Sequence, residues 1–232
     1  IKYLINIMLI KNIKNIIFMM LLLSLSIADE TYSPSGAFSI SRIHYSGGGD
    51  WYSDKSSIPN LLNFISDNTN IITEKEQRIV KVGDNDFYSN SYFYMTGHGN
   101  IKLSREEIII LRQHLIDGAF LHADDNYGMD ESFRSLLEEM FPEKELIEIP
   151  PDHALFNIYY KFPNGLPKIH EHDKKRPQAL GIFHEERLLI LYTYESDLGD
   201  GWENSKVHNN PEDLRNQALK MGTNIVIYSL VQ

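Results

Sequence analysis

Apolar positions along this chain alternate between a period of two and a period near 3.6, and that alternation predicts the fold class. Phe38 to Tyr45 reads as a strand, with Phe38, Ile40 and Arg42 on one face and Ile43 and Tyr45 near its end. A glycine-rich loop follows, Ser46-Gly47-Gly48-Gly49-Asp50-Trp51. Ser57 can cap the next helix, with Pro59 in its first turn and Leu61, Leu62 and Ile65 as its buried stripe. Arg78 to Val82 is a short strand, and Tyr92 to Thr96, almost wholly apolar and aromatic, reads as a central parallel strand. Ser104 and Glu107 form a capping box for a helix that runs through Ile108, Leu111 and Leu115 to Gly118. Ala119 to Ala123 is a further strand. Asp130 then caps a helix carrying Phe133, Leu136, Leu137 and Met140, which Pro142 stops. Glu145 to Ile149 is a short strand, and 150–177 is irregular and rich in Pro and His. Ala179–Phe183 and Arg187–Thr193 read as a hairpin across His184-Glu185-Glu186, and Asn210-Pro211 opens a last helix with a stripe of Leu214, Ala218, Met221 and Ile225. Strands alternating with amphipathic helices predict an α/β domain with a mostly parallel sheet, helices on both faces and an antiparallel edge hairpin.

Before this pattern begins, Ile16 to Ile27 is an apolar run too short to span a bilayer comfortably. Lys11 and Lys14 precede it, and Ser26-Ile27-Ala28 follows with small residues at a cleavage site. This is the layout of a secretory signal peptide cut after Ala28, the alternative being an uncleaved membrane anchor. Residues 1–7 precede Met8 and are read as an upstream extension. The expected organisation is a signal peptide over 1–28, a polar lead-in over 29–37 and one domain over 38–232.

The chain has 232 residues, 42% of them hydrophobic and 23% charged, which suits a single domain with a sizeable core. Without residues 1–28 it holds 19 basic and 32 acidic residues, a net charge of −13. Such a surface repels phosphate backbones and argues against nucleic acid as a partner. Lys174-Lys175-Arg176 is the only basic run and reads as a solvated turn. There is no cysteine, so disulfides, thiolate metal sites and cysteine nucleophiles are excluded. An exported chain without disulfides points to a bacterial envelope, periplasmic or otherwise exported. The membrane is expected to matter only during export.

The strings SGGGDWY, YMTGHGN, LHADDNYGMDESFR, LPKIHEHD and YESDLGDGWE, in this order, resemble the bacterial domain of unknown function, family 4159. The resemblance implies a class I glutamine amidotransferase-like, flavodoxin-like fold, similar to that of trehalose-utilisation-type proteins. Where amidotransferases carry a cysteine on the turn after a strand, this chain has Asp124-Asp125, so amidotransferase chemistry is not implied.

In such sheets ligands bind beyond the carboxyl ends of the strands. Four strings are expected there: Gly47–Trp51, Gly97–Asn100, Asp124–Tyr127 and Glu195–Trp202. Gly48, Gly49, Asp50 and Trp51 either offer amides to an anion or make a tight turn that lets Trp51 pack. Asn100 belongs to the second string. His98, between two glycines, is a candidate proton carrier or a loop tether. Asp124 and Asp125 are candidates for a catalytic base or for oxygen ligands of a hard cation, against a plain turn cap. Tyr127 follows them as a candidate ligand contact. His170 and His172, at i and i+2, share a face if extended and could hold a divalent metal, or they belong to a loop that closes over the cleft. Glu195, Asp197, Asp200 and Glu203 form either a cation-binding loop or a solvated acidic turn, and Trp202, like Trp51, could stack on a sugar ring. No Gly-x-Ser-x-Gly elbow is present, which disfavours a serine hydrolase of that type.

Three functions remain open on the sequence. One is a ligand-binding or accessory domain taking a small molecule or carbohydrate. Another is a module that binds an envelope protein partner. The third is a hydrolase or lyase using the Asp/His cluster, with or without a divalent metal.

Overall fold

A computed structural model describes residues 36–172 and 174–232. The expected signal peptide, most of the lead-in and Asp173 lie outside the described residues. Seven strands form one sheet in the order β2-β1-β3-β4-β7-β6-β5. They are β1 (Ser41–Ile43), β2 (Arg78–Val80), β3 (Tyr92–Gly97), β4 (Phe120–Asp125), β5 (Ile147–Glu148), β6 (Gln178–His184) and β7 (Arg187–Tyr194). Neighbours from β2 through β1, β3 and β4 to β7 are parallel, and β6 and β5 add antiparallel pairs at one edge. The chain leaves β1 for the edge at β2 and returns to the other side at β3, so the sheet has a topological switch point between β1 and β3.

Helices cover both faces, as the alternation of strands and helices predicts. α2 (Arg105–Ile116) and α3 (Asp130–Met140) pack on one side with Phe93, Met95, Leu121 and Ile190. α1 (Ser57–Asn68) and α6 (Glu212–Val231) pack on the other with Tyr92, Tyr94, Phe120 and Leu191. Residues one apart on β3 thus feed opposite cores, as the pleat requires. Two short helices, α4 (Leu198–Trp202) and α5 (Ser205–His208), lie between β7 and α6. None of the helices among the described residues is long and apolar enough to cross a membrane.

The local signals behave as their chemistry dictates, with several corrections. The capping box is complete: the Ser104 hydroxyl accepts the Glu107 N–H, and the Glu107 carboxylate accepts the Ser104 N–H. The hairpin turns at Glu185 and Glu186, both with positive φ, as a two-residue turn matched to strand twist requires. Only half of that hairpin is an edge addition, because β7 pairs in parallel with β4. The N-cap position of α1 is Ser56, whose side chain makes no capping bond, and Ser57 donates to the Asp54 carbonyl at 2.7 Å. Asp130 is the first residue of α3, and its carboxylate accepts from Arg134 Nε at 2.7 Å and the Tyr192 hydroxyl at 3.0 Å.

Arg42 departs furthest from the pattern. It lies on β1 but is only 1% exposed. Its guanidinium reaches Gln77, the carbonyls of Trp51, Ser53 and Asp54, and the Ser57 hydroxyl. It therefore ties the strand to the whole loop that leads into α1.

Candidate functional site

The carboxyl ends of β1, β3, β4 and β7 carry a ring of contacting loops. The first contact joins the loops after β1 and β3. Gly49 N–H donates to Asn100 O at 3.0 Å, Asp50 N–H to His98 O at 3.3 Å, and His98 Nδ1 lies 3.0 Å from Asp50 Oδ2. These amides already have carbonyl partners, which favours the tight-turn reading of the glycine loop over the anion cradle. Gly49 is glycine for a steric reason: a Cβ there would come within 2.9 Å of Asn100 O and Tyr45 Oη. Gly48 faces open space with a φ of +93°. Trp51 is half-buried and stacks on His44 with centroids 4.1 Å apart.

Asp124 and Asp125 close β4. Asp124 is fully buried. Its Oδ1 accepts from the Thr193 hydroxyl and from Leu198 N–H at 3.3 Å; its Oδ2 accepts Gly199 N–H at 2.6 Å and Tyr94 Oη–H at 3.3 Å. Burial pushes its pKa up to about 7 against these donors, which pull it down. Thr193 Oγ1 also lies 3.0 Å from His122 Nε2, so a buried His122–Thr193–Asp124 line stitches β4 to β7. This occupation gives Asp124 a structural part: it anchors the start of α4. Asp125 accepts Tyr127 N–H at 3.1 Å, and burial raises its pKa to about 6.

The segment 195–203 is buried, which corrects the reading of a solvated acidic turn. Glu195, Asp197, Asp200, Trp202 and Glu203 are each less than a tenth exposed. Glu195 is neutralised by Lys168 Nζ at 2.7 Å. Glu203 accepts from the backbone and hydroxyl of Ser56. Trp202 is a core residue rather than a stacking platform: its indole donates to Ala218 O at 2.8 Å and its ring packs near Tyr94 and His122.

Alongside this segment lies the strap 167–172. Ile169 N–H donates to Ser196 O at 2.9 Å, and the Ser196 hydroxyl donates to Pro167 O at 2.6 Å. With the buried Ile169 as anchor, His170 and His172 fall on one side with ring centroids 4.7 Å apart. The donor atoms of His170, His172 and Asp197 all lie within 4.8 Å of one another. His172 Nε2 is 2.5 Å from Asp197 Oδ2, yet neither atom is aligned for a hydrogen bond, and Asp197 Oδ1 has no hydrogen-bond partner either. Burial, then neighbouring Asp124, Asp200, Asp125 and Asp54, push the Asp197 pKa up to about 10. Burial and then His170 lower that of His172. Both shifts run toward the neutral forms.

Asp54 and His208, which no local motif announced, complete the cluster. Asp54 accepts from Asn126 Nδ2, and Asn126 Oδ1 is buried without a hydrogen-bond partner. Asp200 is flanked by His170 Nδ1 at 3.0 Å and His208 Nε2 at 3.3 Å. Burial and then Asp200 raise the Asp54 pKa to about 6. Backbone strain marks the same place. Asp54, Tyr127, Glu195 and Asp197 all have positive φ, and Tyr127, the bulkiest of them, stacks on His172 at 4.6 Å.

Of the residues singled out in the sequence, Asp124, Asp125, Tyr127, His170, His172, Asp197 and Asp200 are brought to one region. His98 joins Asp50 instead, on the loop after β1. Asn100 contributes its carbonyl, and its side chain is exposed.

Fold and site together define a doubly wound α/β domain with a buried aspartate–histidine cluster at the carboxyl edge of its sheet. The chain belongs to the family described as Domain of unknown function (DUF4159), whose model matches residues 39–230. No curated protein matches it.

Proposed function

We propose that the cluster binds a divalent metal ion through His170, His172 and Asp197, and that the domain is an exported metal-dependent hydrolase or lyase. The observation that carries this reading is Asp197. A buried carboxyl group with no hydrogen bond is costly, and two imidazole nitrogens lie within reach of the same point. Two nitrogens and one oxygen are a donor set suited to zinc that leaves a fourth position for water or substrate. A bound ion there supplies Lewis acidity to a substrate oxygen or to water.

The chain's own groups account for the rest. Stacking on Tyr127 fixes the plane of the His172 imidazole. Asp125, whose pKa burial raises to about 6, is our candidate proton carrier. We propose this acid as the group that would separate catalysis from the ligand-binding or accessory alternative, and the Asp125→Asn variant below tests it. The substrate class we propose is a small molecule or carbohydrate of the envelope. The apolar run 16–27, with Lys11 and Lys14 before it and small residues after it, supports export. The order β2-β1-β3-β4 supports kinship with the flavodoxin-like and amidotransferase-like folds, and the absence of cysteine keeps thiol chemistry out of that kinship.

The test is elemental analysis of the purified protein with His172→Ala and Asp197→Asn beside it. A stoichiometric transition metal, lost in both variants, is expected. Asp125→Asn should keep the metal and lose turnover on ester and glycoside probes. Absence of any bound divalent metal, or its retention in both ligand variants, overturns the reading.

A further inference from the structure

The donors of the proposed metal site do not exhaust the cluster. Asp200, 8% exposed in its side chain, sits between two sets of donors. Its Oδ2 is 3.0 Å from His170 Nδ1, and its Oδ1 is 3.3 Å from His208 Nε2. On the His208 side, the donor atoms of Asp54, Asp200 and His208 lie within 4.8 Å of one another, a second trio of the right size for one ion.

Two further observations point to a ligand at this second trio. Asn126 donates its amide to Asp54 Oδ2, and its own Oδ1, in a side chain 2% exposed, is left without a hydrogen-bond partner. A buried amide oxygen beside a carboxylate is a ligand type that hard cations accept. The local charge balance points the same way. The cations nearest the cluster make their hydrogen bonds to other groups, Arg42 to carbonyls, Gln77 and Ser57 and Lys168 to Glu195 and the Lys175 carbonyl, although the charge of Arg42 still favours the ionised form of Asp54. Among the described residues the ion pairs of Asp197 and Asp200 are with histidines alone. One divalent ion leaves excess negative charge in a buried region, which is unfavourable without compensation.

We propose that the site is binuclear, with a second divalent cation held by Asp54, Asp200 and His208, assisted by the Asn126 carbonyl oxygen, and with Asp200 bridging the two ions. This rests on the metal reading of His170, His172 and Asp197. The second site has more oxygen donors and suits a harder ion such as Mn²⁺, while the first suits Zn²⁺. A pair of ions sharing a carboxylate is the arrangement used to clamp the attacking and leaving oxygens of a displacement.

The protein is stripped with chelator and reloaded with Mn²⁺ alone or with Zn²⁺ alone. Bound metal is counted by mass spectrometry, and the manganese form is examined by electron paramagnetic resonance. Two equivalents and a spin-coupled manganese signal are expected for the wild type. His208→Ala, a change on the short outer helix α5, should reduce the count to one and abolish the coupling. Asp54→Asn should do the same, and a thermal melt checks that it remains folded. One equivalent in the wild type, unchanged in both variants and lost in His172→Ala, rejects the second ion and leaves the first. Two equivalents retained in His208→Ala and Asp54→Asn also reject it. No bound ion in any form removes both.

Discussion

Asp124 Oδ2 accepts the Gly199 amide at 2.6 Å, joining the end of β4 to the first turn of α4. That bond, with the Leu198 N–H on the other oxygen, holds the segment bearing Asp197 and Asp200 against the sheet.

Replacing Asp124 with Asn should therefore be felt twice. Each carboxylate oxygen faces a backbone N–H, so either orientation of the amide turns its NH₂ toward a donor. Loss of one buried hydrogen bond and one unsatisfied donor should cost about 1–3 kcal/mol. Urea unfolding measures the loss, and metal uptake should weaken with it.

Gly199 is confined by the cluster. A Cβ there would approach Asp54 Oδ2 and Tyr94 Oη at 2.9 Å and Asp124 Oδ2 at 3.2 Å. Gly199→Ala must displace at least one of these groups and should destabilise the fold by about 1–3 kcal/mol. Because Asp54 is the freest of the three to move, cation binding should fall more than stability does. A competition titration alongside a thermal melt separates the two effects.

His122 supplies a pH dependence of known sign. It is fully buried, and burial lowers its pKa to about 3. The unfolded chain then binds the extra proton below about pH 6.5. Stability from this group is intact above that pH and is lost as pH falls toward 3, by about 1.4 kcal/mol per pH unit. His122→Phe removes the dependence. The stability difference between variant and wild type should shift in the variant's favour by about 2–3 kcal/mol between pH 6.5 and 4.5. Denaturant melts across this range check it, and a flat difference contradicts the buried neutral imidazole.

Tyr127 separates strain from function. Its φ of +75° is disfavoured for an aromatic residue, while its ring braces His172. Tyr127→Gly should leave stability within about 1 kcal/mol of wild type, since relieved strain offsets the lost ring. Metal affinity should drop several-fold. An affinity that does not change removes the bracing role.

Features that were legible in the sequence were short in range. The Ser104–Glu107 box, the apolar run of β3 and the break at Gly118 depend on residues within a few positions, and the structure keeps them. The carboxyl-edge strings were legible too, because strand–helix alternation says where the loops after parallel strands must go. Arg42, Trp202 and Glu203 were not. By local pattern they are a strand-face cation, a candidate platform and a solvated acid. Each is buried by partners far along the chain: the 51–57 loop, Ala218 and Ser56. Asp54 and His208 belong to no motif, and only the folding of α1 and α5 onto the same edge gives them neighbours.

By itself the sequence determined an α/β order of elements, the family and the set of loops at one end of the sheet, because hydrophobic period, caps and turns act over a few residues. Tertiary structure alone decided which carboxylates lost their water, which histidines came beside them and which acids became scaffold. Burial and charge–charge distance are properties of pairs far apart in the chain, and they exist only once the β4–β7 pairing and the 167–172 strap have closed the site.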